Sequence, residues 1–563
     1  MPASHEAPPS SGLDLPGDFL PFQERGAGCF DSGTNGEQSF AKRITPENNF
    51  QFRDPFPLSE NCFLTAVGSS VFVMDGTGRT ERIYALPEGD AKAGVQCHEP
   101  RPLRPHPRER VIPSRVDLAQ TTGRLILADV AYGRNMGGVE PGQIKKLLVL
   151  EPLPMPVHFQ GGMRPITNGG SFTLERILGT IPVEPDGSAY AELPALRSLF
   201  FVALDEKDLS VKRMQSFLTV QPGETVSCAG CHESRTRTPP LTPASRLQAL
   251  SRPPSRIEPI EGVAEVIDYP RDIQPILDRH CLECHDSDKR SGGVDLSGDR
   301  GPMFSHSYFT LVSRRQVADG RNQERGNRPP RTIGSSASPL MRKIDGRHHE
   351  VILPEVERNR IRLWIESGAA YPGTYAALAT GSIGDVIWKD SIRLDMNLPS
   401  VIEAAKVIQQ RCAQCHKGPT ALSPMPSAGL GLPSPFSGHA LYDLTRPEKS
   451  LILMAPLARQ AGGFGMRKSG GPASGQAEEA IEVFADAADP NYQKILAAIR
   501  DCKAILDRIK RFDMPGFRPR EEYIREMKRY GILPQDLGPN DPIDVYAAEA
   551  AYWRSFWPKP IAP

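Results

Sequence analysis

The sequence predicts a multidomain α+β chain, β-rich in its N-terminal half and mainly helical after about residue 256. Three observations carry this. Apolar residues alternate with period two in short runs between Asn61 and Leu204, broken by Gly, Ser and Asp-Gly turns. Beyond a Pro/Arg-rich stretch the apolar spacing becomes helical. The pentapeptide Cys-x-x-Cys-His then occurs three times, twice at the end of a helical stretch.

Residues 1–45 are rich in Pro, Gly and Ser without periodicity and read as a flexible arm. In 46–115, NCFLTAVGSSVFVMDGTGRTERIYAL reads as three short strands, followed by an extended Pro/Arg linker, Glu99–Arg115. Residues 116–255 read as a β-sandwich-like middle domain that holds the first pentapeptide. Its strand signals are Arg124–Val130, Lys145–Leu150 and Arg176–Val183, then a hairpin around Pro185–Ser188 and the apolar strand Leu199–Leu204. A second Pro/Arg-rich linker, Arg235–Arg256, follows. Residues 256–380 and 381–563 each lead a helix into a pentapeptide. Asp272–Arg279 puts Ile273, Ile276 and Leu277 on one face; Glu403–Arg411 does the same with Val407 and Ile408. Glu357–Ser367, closed by Gly368, reads as a terminal helix, and Pro490–Arg511 as a long one. Helix plus pentapeptide is therefore an internal repeat, with a linker near 380–400 between the copies.

The pentapeptides are Cys228-Ala-Gly-Cys231-His232, Cys281-Leu-Glu-Cys284-His285 and Cys412-Ala-Gln-Cys415-His416. With 10 Cys and 12 His in the chain, roughly 0.004 such strings are expected by chance. The motif attaches haem c: two thiols add across the vinyl groups and the His meets the iron. Structural zinc wants Cys pairs about 15–20 residues apart, whereas these begin 53 and 131 apart (228 to 281, 281 to 412). A disulfide between Cys i and i+3 is strained, and no βαβ pattern supports a redox dithiol. Three covalent haems c and two mainly α-helical cytochrome c-like domains are the expectation, with Cys228, Cys231, Cys281, Cys284, Cys412 and Cys415 as attachment points. His232, His285 and His416 are the iron ligands on one face.

Lys+Arg equals Asp+Glu at 67 each, so nothing in the charge points to nucleic acid or an anionic membrane. The longest apolar runs fall far below the 18 or so residues of a membrane span. Thioether attachment of haem takes place outside the cytoplasm, so a periplasmic or other extracytoplasmic location is expected. Met1–Gly36 nevertheless shows no signal peptide. Cys29, Cys62, Cys97 and Cys502 could form disulfides there or remain free thiols.

Longer stretches resemble the hydrazine synthase alpha subunit-like family of multihaem cytochrome c proteins. They include VEPGQIKKL (139–147), ILGTIPVEPDGSAYAELPALRSLFFVALDE (177–206), RMQSFLTVQPGETVSCAGCHE (213–233), KSLILMAPLA (449–458), RFDMPGFRPREEYIREMKRYGILP (511–534) and YWRSFW (552–557). The resemblance implies that 46–115 holds the last strands of a β-propeller. In the family's alpha subunit a Tyr four residues beyond the first motif His ligates the iron and frees that His for zinc. Thr236 stands at that position here. Cys97 matches a family Cys, so a metal near His232 and a plain buried thiol are both open. The family pattern implies His348, of the His348-His349 pair, as the far-side ligand of the second haem; a surface His pair is the alternative. For the third haem, Met514-Pro515 resembles the Met-Pro of small cytochromes, with Met466, Met454 and His439 as competitors and a packed turn as the plain alternative. For the first haem His158, Met163 and a vacant position all remain open. The reading is an electron-transfer protein with a redox partner protein or small electron carrier and a possible homo- or hetero-oligomer. Its alternatives are an oxidoreductase acting on a small nitrogen compound at the first haem, and a haem-stapled structural module.

Overall fold

The computed structural model describes residues 52–103, 105, 111, 113–156, 166–167, 173–214, 216–231, 246–318, 327–378, 398–423, 436–467, 480–481 and 483–560. The arm at 1–45 and the linker near 380–400, up to Asn397, lie outside them. The chain divides into a unit of residues 1–114 with 322–328 and a unit of 115–321 with 329–563.

The first unit is an antiparallel meander of β1 (Arg53–Ser59), β2 (Cys62–Val67), β3 (Ser70–Asp75) and β4 (Thr80–Ala85) in that order. The last three are the strands expected from Asn61 onward; β1 was not read, because Pro55 and Pro57 interrupt its pattern. Asp75 turns the chain from β3 to β4, accepting from the Thr77 and Arg79 amides and the Thr77 hydroxyl. Phe52, Phe63 and Met74 form its small core.

The second unit is layered. One sheet runs β10 (Ser210–Arg213), β9 (Phe200–Leu204), β6 (Lys146–Pro152), β7 (Glu175–Pro182). The other runs β11 (Thr225–Cys228), β5 (Thr122–Leu127), β8 (Ala189–Pro194), with β11 parallel to β5. Leu147 and Val149 of β6 face the second sheet, while Leu148 and Leu150 face helices. Coverage on both faces explains why β6 is an unbroken apolar run. The hairpin that the sequence predicts at Pro185–Ser188 does not form. The turn exists, with Gly187 at φ +84° and Asp186 capping Ser188. Its flanking strands do not pair: β7 pairs with β6 and β8 with β5, so the turn carries the chain between sheets.

The helical layer begins with a π-helical turn at Tyr269–Ile273, whose first amide groups are met by Asp268. It leads into α1 (Gln274–His280) and α2 (Leu282–His285). Then come α3 (His306–Ser313), α4 (Glu355–Glu366) and α5 (Pro399–Arg411), the short α6 (Gly438–Leu441) and α7 (Leu451–Met454), and α8 (Pro490–Ile509), α9 (Glu521–Arg529) and α10 (Val545–Ser555). The four expected helices are present as α1, α4, α5 and α8. A core centred on Trp364, Tyr269, Tyr308 and Tyr371 joins the β6 sheet to α1, α3 and α4. A separate core packs α5 against α8 through Val407, Ile408, Ile495 and Ile499. Past Phe512 the chain returns to the first core through Tyr523, Met527, Tyr552 and Trp553. The architecture is multidomain α+β, and no helix among the described residues is long and apolar enough to cross a membrane.

Candidate functional site

Amphipathic helices deliver the second and third pentapeptides, and the local bonding repeats. The Cys281 amide donates to the Leu277 carbonyl at 2.8 Å and the Cys412 amide to Ile408 at 2.9 Å, so each first Cys closes its helix. The amides of His285 and His416 donate back to Cys281 and Cys412 at 2.9 and 3.0 Å. His285 Nδ1 lies 3.0 Å from the Ser291 carbonyl, and His416 Nδ1 3.1 Å from the Thr420 carbonyl. A carbonyl only accepts, so Nδ1 carries the proton in both rings and Nε2 keeps its lone pair. Carbonyl anchoring of this kind fixes the tautomer and aim of a metal-binding imidazole. Cys281 and Cys412 are half-buried while Cys284 and Cys415 are exposed. Burial pushes the Cys281 thiol up to about 11, and raises Cys412 as well.

His348 is brought opposite His285. Their ring centres are 6.0 Å apart and their planes differ by 11°. An imidazole nitrogen sits about 2 Å from a first-row metal, so two imidazoles facing one ion have centres about 6 Å apart. The loop that presents His348 is pinned as a small hairpin, with Gly346 donating to Val351 and Asp345 bridged to Ile352. Within it His349 and Glu350 both hold positive φ, +47° and +61°. Strain in consecutive non-Gly residues is tolerated where the surroundings enforce a loop's shape. Burial, then the charge of Lys343, lowers the His348 pKa and favours the neutral, metal-binding ring.

For the third motif, Met514 sits in the turn after α8 and borders the same core as Cys412. Its Sδ accepts from the Arg511 amide at 3.4 Å. Arg511 is fully buried, forks onto Asp513 at 2.7 Å through both Nε and Nη2, and donates to the Gly301 carbonyl at 2.8 Å. Tyr371 donates its hydroxyl to the same Asp513 at 2.8 Å. Burial opposes ionisation of Asp513, but the Arg511 guanidinium prevails and holds it below the ordinary carboxylate range. Of the competitors, His439 is packed between Phe304 and Phe309, and Met454 is buried in α7. The Met466 side chain lies outside the described residues.

The first pentapeptide is placed differently. Cys228 ends β11, and the following residues lie back to back with the 128–133 loop. The Ala128 amide donates to the Cys228 carbonyl at 2.9 Å, and the Cys231 amide to the Tyr132 carbonyl at 2.7 Å. Only glycine fits here: a Cβ on Gly230 would stand 2.2 Å from the Tyr132 carbonyl oxygen, and one on Gly133 2.0 Å from that of Cys231. Lys212 of β10 sits beside Cys231 and donates to the Asn135 carbonyl at 3.1 Å. Burial, with the charge of Arg134, brings its ammonium down to about 8. His232, Thr236, His158, Met163 and Cys29 lie outside the described residues. Cys97 and Cys62 belong to the N-terminal unit, and Cys502 is buried in α8. Among the described residues no three His, Cys, Asp or Glu side chains gather as a metal site. Sequence reasoning missed the Ser291 and Thr420 carbonyls, Lys212 and the Arg511–Asp513 fork; backbone acceptors leave no signature in residue identity.

Residues 142–233 match the family model of the hydrazine synthase alpha subunit middle domain. The chain is 26% identical to hydrazine synthase subunit alpha of Kuenenia stuttgartiensis over 283 residues, covering 38% of this chain and 35% of that protein. It thus spans about a third of that relative's length. Among solved structures it is similar to Kuenenia stuttgartiensis hydrazine synthase, with a TM-score of 0.45 and 18% identity over 59% of this chain and 56% of the other.

Proposed function

We propose that this hydrazine synthase alpha-like chain carries electrons through three covalently bound haems c, the second and third held in cytochrome c-like helical segments. The observation that carries the reading is the His285–His348 pair, two near-parallel imidazoles at a metal-spanning 6.0 Å with His285 Nδ1 tied to a carbonyl. Haem c, when bound, supplies a one-electron redox centre. Cys281 and Cys284 would hold it covalently, and His285 and His348 are the side chains that would ligate its iron. A site closed on both faces excludes substrate and favours electron transfer. Cys412, Cys415 and His416 repeat the arrangement, with Met514 as the opposing side chain. A thioether there raises the potential of the third centre above the bis-His second. Attachment at Cys228 and Cys231 completes the set, with His232 on the iron. Maturation of this kind places the protein outside the cytoplasm, working with a redox partner or a small electron carrier, alone or in an oligomer.

A second reading rests on the match over 142–233, which includes the first motif: an oxidoreductase acting on a small nitrogen compound there. Thr236 in place of the family Tyr weighs against hydrazine formation by this chain alone, because an aliphatic hydroxyl is far less acidic than a phenol.

The experiment is matured, haem-loaded protein examined by intact mass and by carbon monoxide difference spectra. Three haems are expected by mass, and His348→Ala should add one equivalent of carbon monoxide binding over the unmodified chain. Fewer than three haems, or carbon monoxide already bound at the second site, overturns the assignment. Hydrazine production from nitric oxide and ammonium by the unmodified chain would promote the second reading.

A further inference from the structure

The seam between the second- and third-motif segments holds ionisable groups that electron transfer does not itself require. Asp299 comes from one side and Asp443 from the other, and their carboxyls are in hydrogen-bond contact. The backbone sets this up: the Leu444 amide donates to the Arg300 carbonyl at 2.7 Å, and the Arg300 amide to the Thr445 hydroxyl at 2.8 Å. Asp443 is 2% exposed, and its Oδ1 accepts from the Thr445 and Arg446 amides at 2.8 and 2.7 Å. Asp299 accepts from Arg446 Nε at 2.8 Å. Arg446 also donates to the Ser287 hydroxyl at 2.8 Å, two residues beyond His285.

His306 of α3 stands on the third side. Its amide donates to the Asp299 carbonyl at 2.8 Å, and one ring nitrogen donates to the Tyr442 carbonyl. Its Nε2 is buried with no partner among the described residues. The neighbouring charges are committed elsewhere: Arg290 pairs with Asp295 at 2.8 Å, Lys449 pairs with Asp288, and Arg300 turns toward Asp513. Asp443 is buried beside the partly exposed Asp299, and the two face one guanidinium, which favours a proton on the buried partner. Burial first, then the charge of Asp299, pushes Asp443 up to about 8.

We propose that the Asp299–Asp443 pair is a proton-exchange site coupled to the second motif, binding its proton more firmly when the centre held by His285 is reduced. The inference rests on the electron-carrying reading. Arg446 is the physical link, since it touches both the pair and Ser287. An electron added near Ser287 offsets part of the positive field that reaches the pair. The proton is then held more tightly, and by reciprocity proton binding favours reduction.

The test uses haem-loaded full chain in spectroelectrochemical titrations across roughly pH 6–9, bracketing the raised carboxyl. The midpoint potential of the bis-His centre should fall as pH rises, toward a limit of about 59 mV per pH unit for one proton per electron. Asp443→Asn should remove this slope while leaving haem content and carbon monoxide behaviour unchanged. No slope in the unmodified chain, or a slope that survives Asp443→Asn, overturns the proposal. Should that variant fail to accumulate, the redox-difference infrared spectrum of the unmodified chain decides. A change in the protonated carboxyl C=O band is expected, and its absence overturns the site. Failure of the electron-carrying reading itself shows separately, as missing haem mass or carbon monoxide bound at the second site.

Discussion

The first pentapeptide leaves a strand, whereas the second and third leave helices, and this decides what holds each in place. In the helix-borne pair the last helical turn, the Cys-to-His amide bonds and the imidazole anchor all lie within 15 residues of one another. The described part of the strand-borne motif, up to Cys231, is held by distant segments instead. It depends on a parallel strand 101 residues earlier (124 to 225) and on the Tyr132 carbonyl. The chain thus repeats the local frame of the helix-borne motifs, although the second of them shares its core with the β6 sheet. The strand-borne motif is inseparable from its sandwich, and it is the sandwich that matches the hydrazine synthase alpha family model.

The largest break in this comparison is expected at Arg511, which binds the two helix-borne segments together beneath Met514. Arg511→Ala leaves Asp513 buried without its cation and should cost about 3–5 kcal/mol. Chemical denaturation reads the loss. The spectrum of the third centre should change more than that of the second, because Asp513, which loses its cation, adjoins Met514 in the turn after α8.

A pH experiment asks whether the sandwich and the second-motif segment melt together, as their shared core implies. Glu549 of α10 is fully buried in that core, and one of its oxygens accepts from the Thr374 hydroxyl, the Ala376 amide and the Tyr523 hydroxyl. Burial pushes it up to about 7. A folded pKa raised above the unfolded value gives stability that is full below the ordinary carboxylate range and lost as pH rises through about 7. Between those limits the unfolding free energy should fall by no more than about 1.4 kcal/mol per pH unit, and the melting temperature should fall with it in one transition. Glu549→Gln mimics the protonated acid and should flatten the slope.

The strand-borne side is probed at Gly133. An added Cβ would overlap the Cys231 carbonyl, so Gly133→Ala should push the two loops apart at about 1–3 kcal/mol. Intact mass should show loss of one haem while both helix-borne haems remain. Loss of all three would mean that the helix-borne modules depend on the sandwich for maturation.

What was legible in the sequence follows the same division. The helices before Cys281 and Cys412 were readable because a short apolar stripe and its motif are contiguous. The strands β5, β6, β7 and β9 were readable from alternation or apolar runs. Pairing was not: the Pro185–Ser188 turn looks like a hairpin, and only the whole sandwich sends its strands to different sheets. Nor could apolar spacing reveal that α9 and α10 return to the first core rather than extend the α5–α8 core. His348 entered by resemblance, since nothing in a polar His-His loop signals that its ring would lie 6.0 Å from that of His285. The ionisable seam was illegible because Asp299 and Asp443 are 144 residues apart (299 to 443) and unremarkable singly.

The smallest effect is expected at the rim of the same seam. Lys449 pairs with Asp288, three residues beyond His285, but the two side chains remain 29% and 56% exposed. Exposed pairs gain little, because water screens them and two long side chains must be held still, so Lys449→Ala should change stability by less than about 1 kcal/mol. That remainder should vanish in high salt, which screens the rim and leaves buried charges nearly untouched. Arg511→Ala should keep its full cost under the same conditions. Denaturation of both variants at low and high salt therefore separates rim from knot. A large, salt-insensitive loss at Lys449 would mean that the rim pair, not the buried fork, joins the two helix-borne segments.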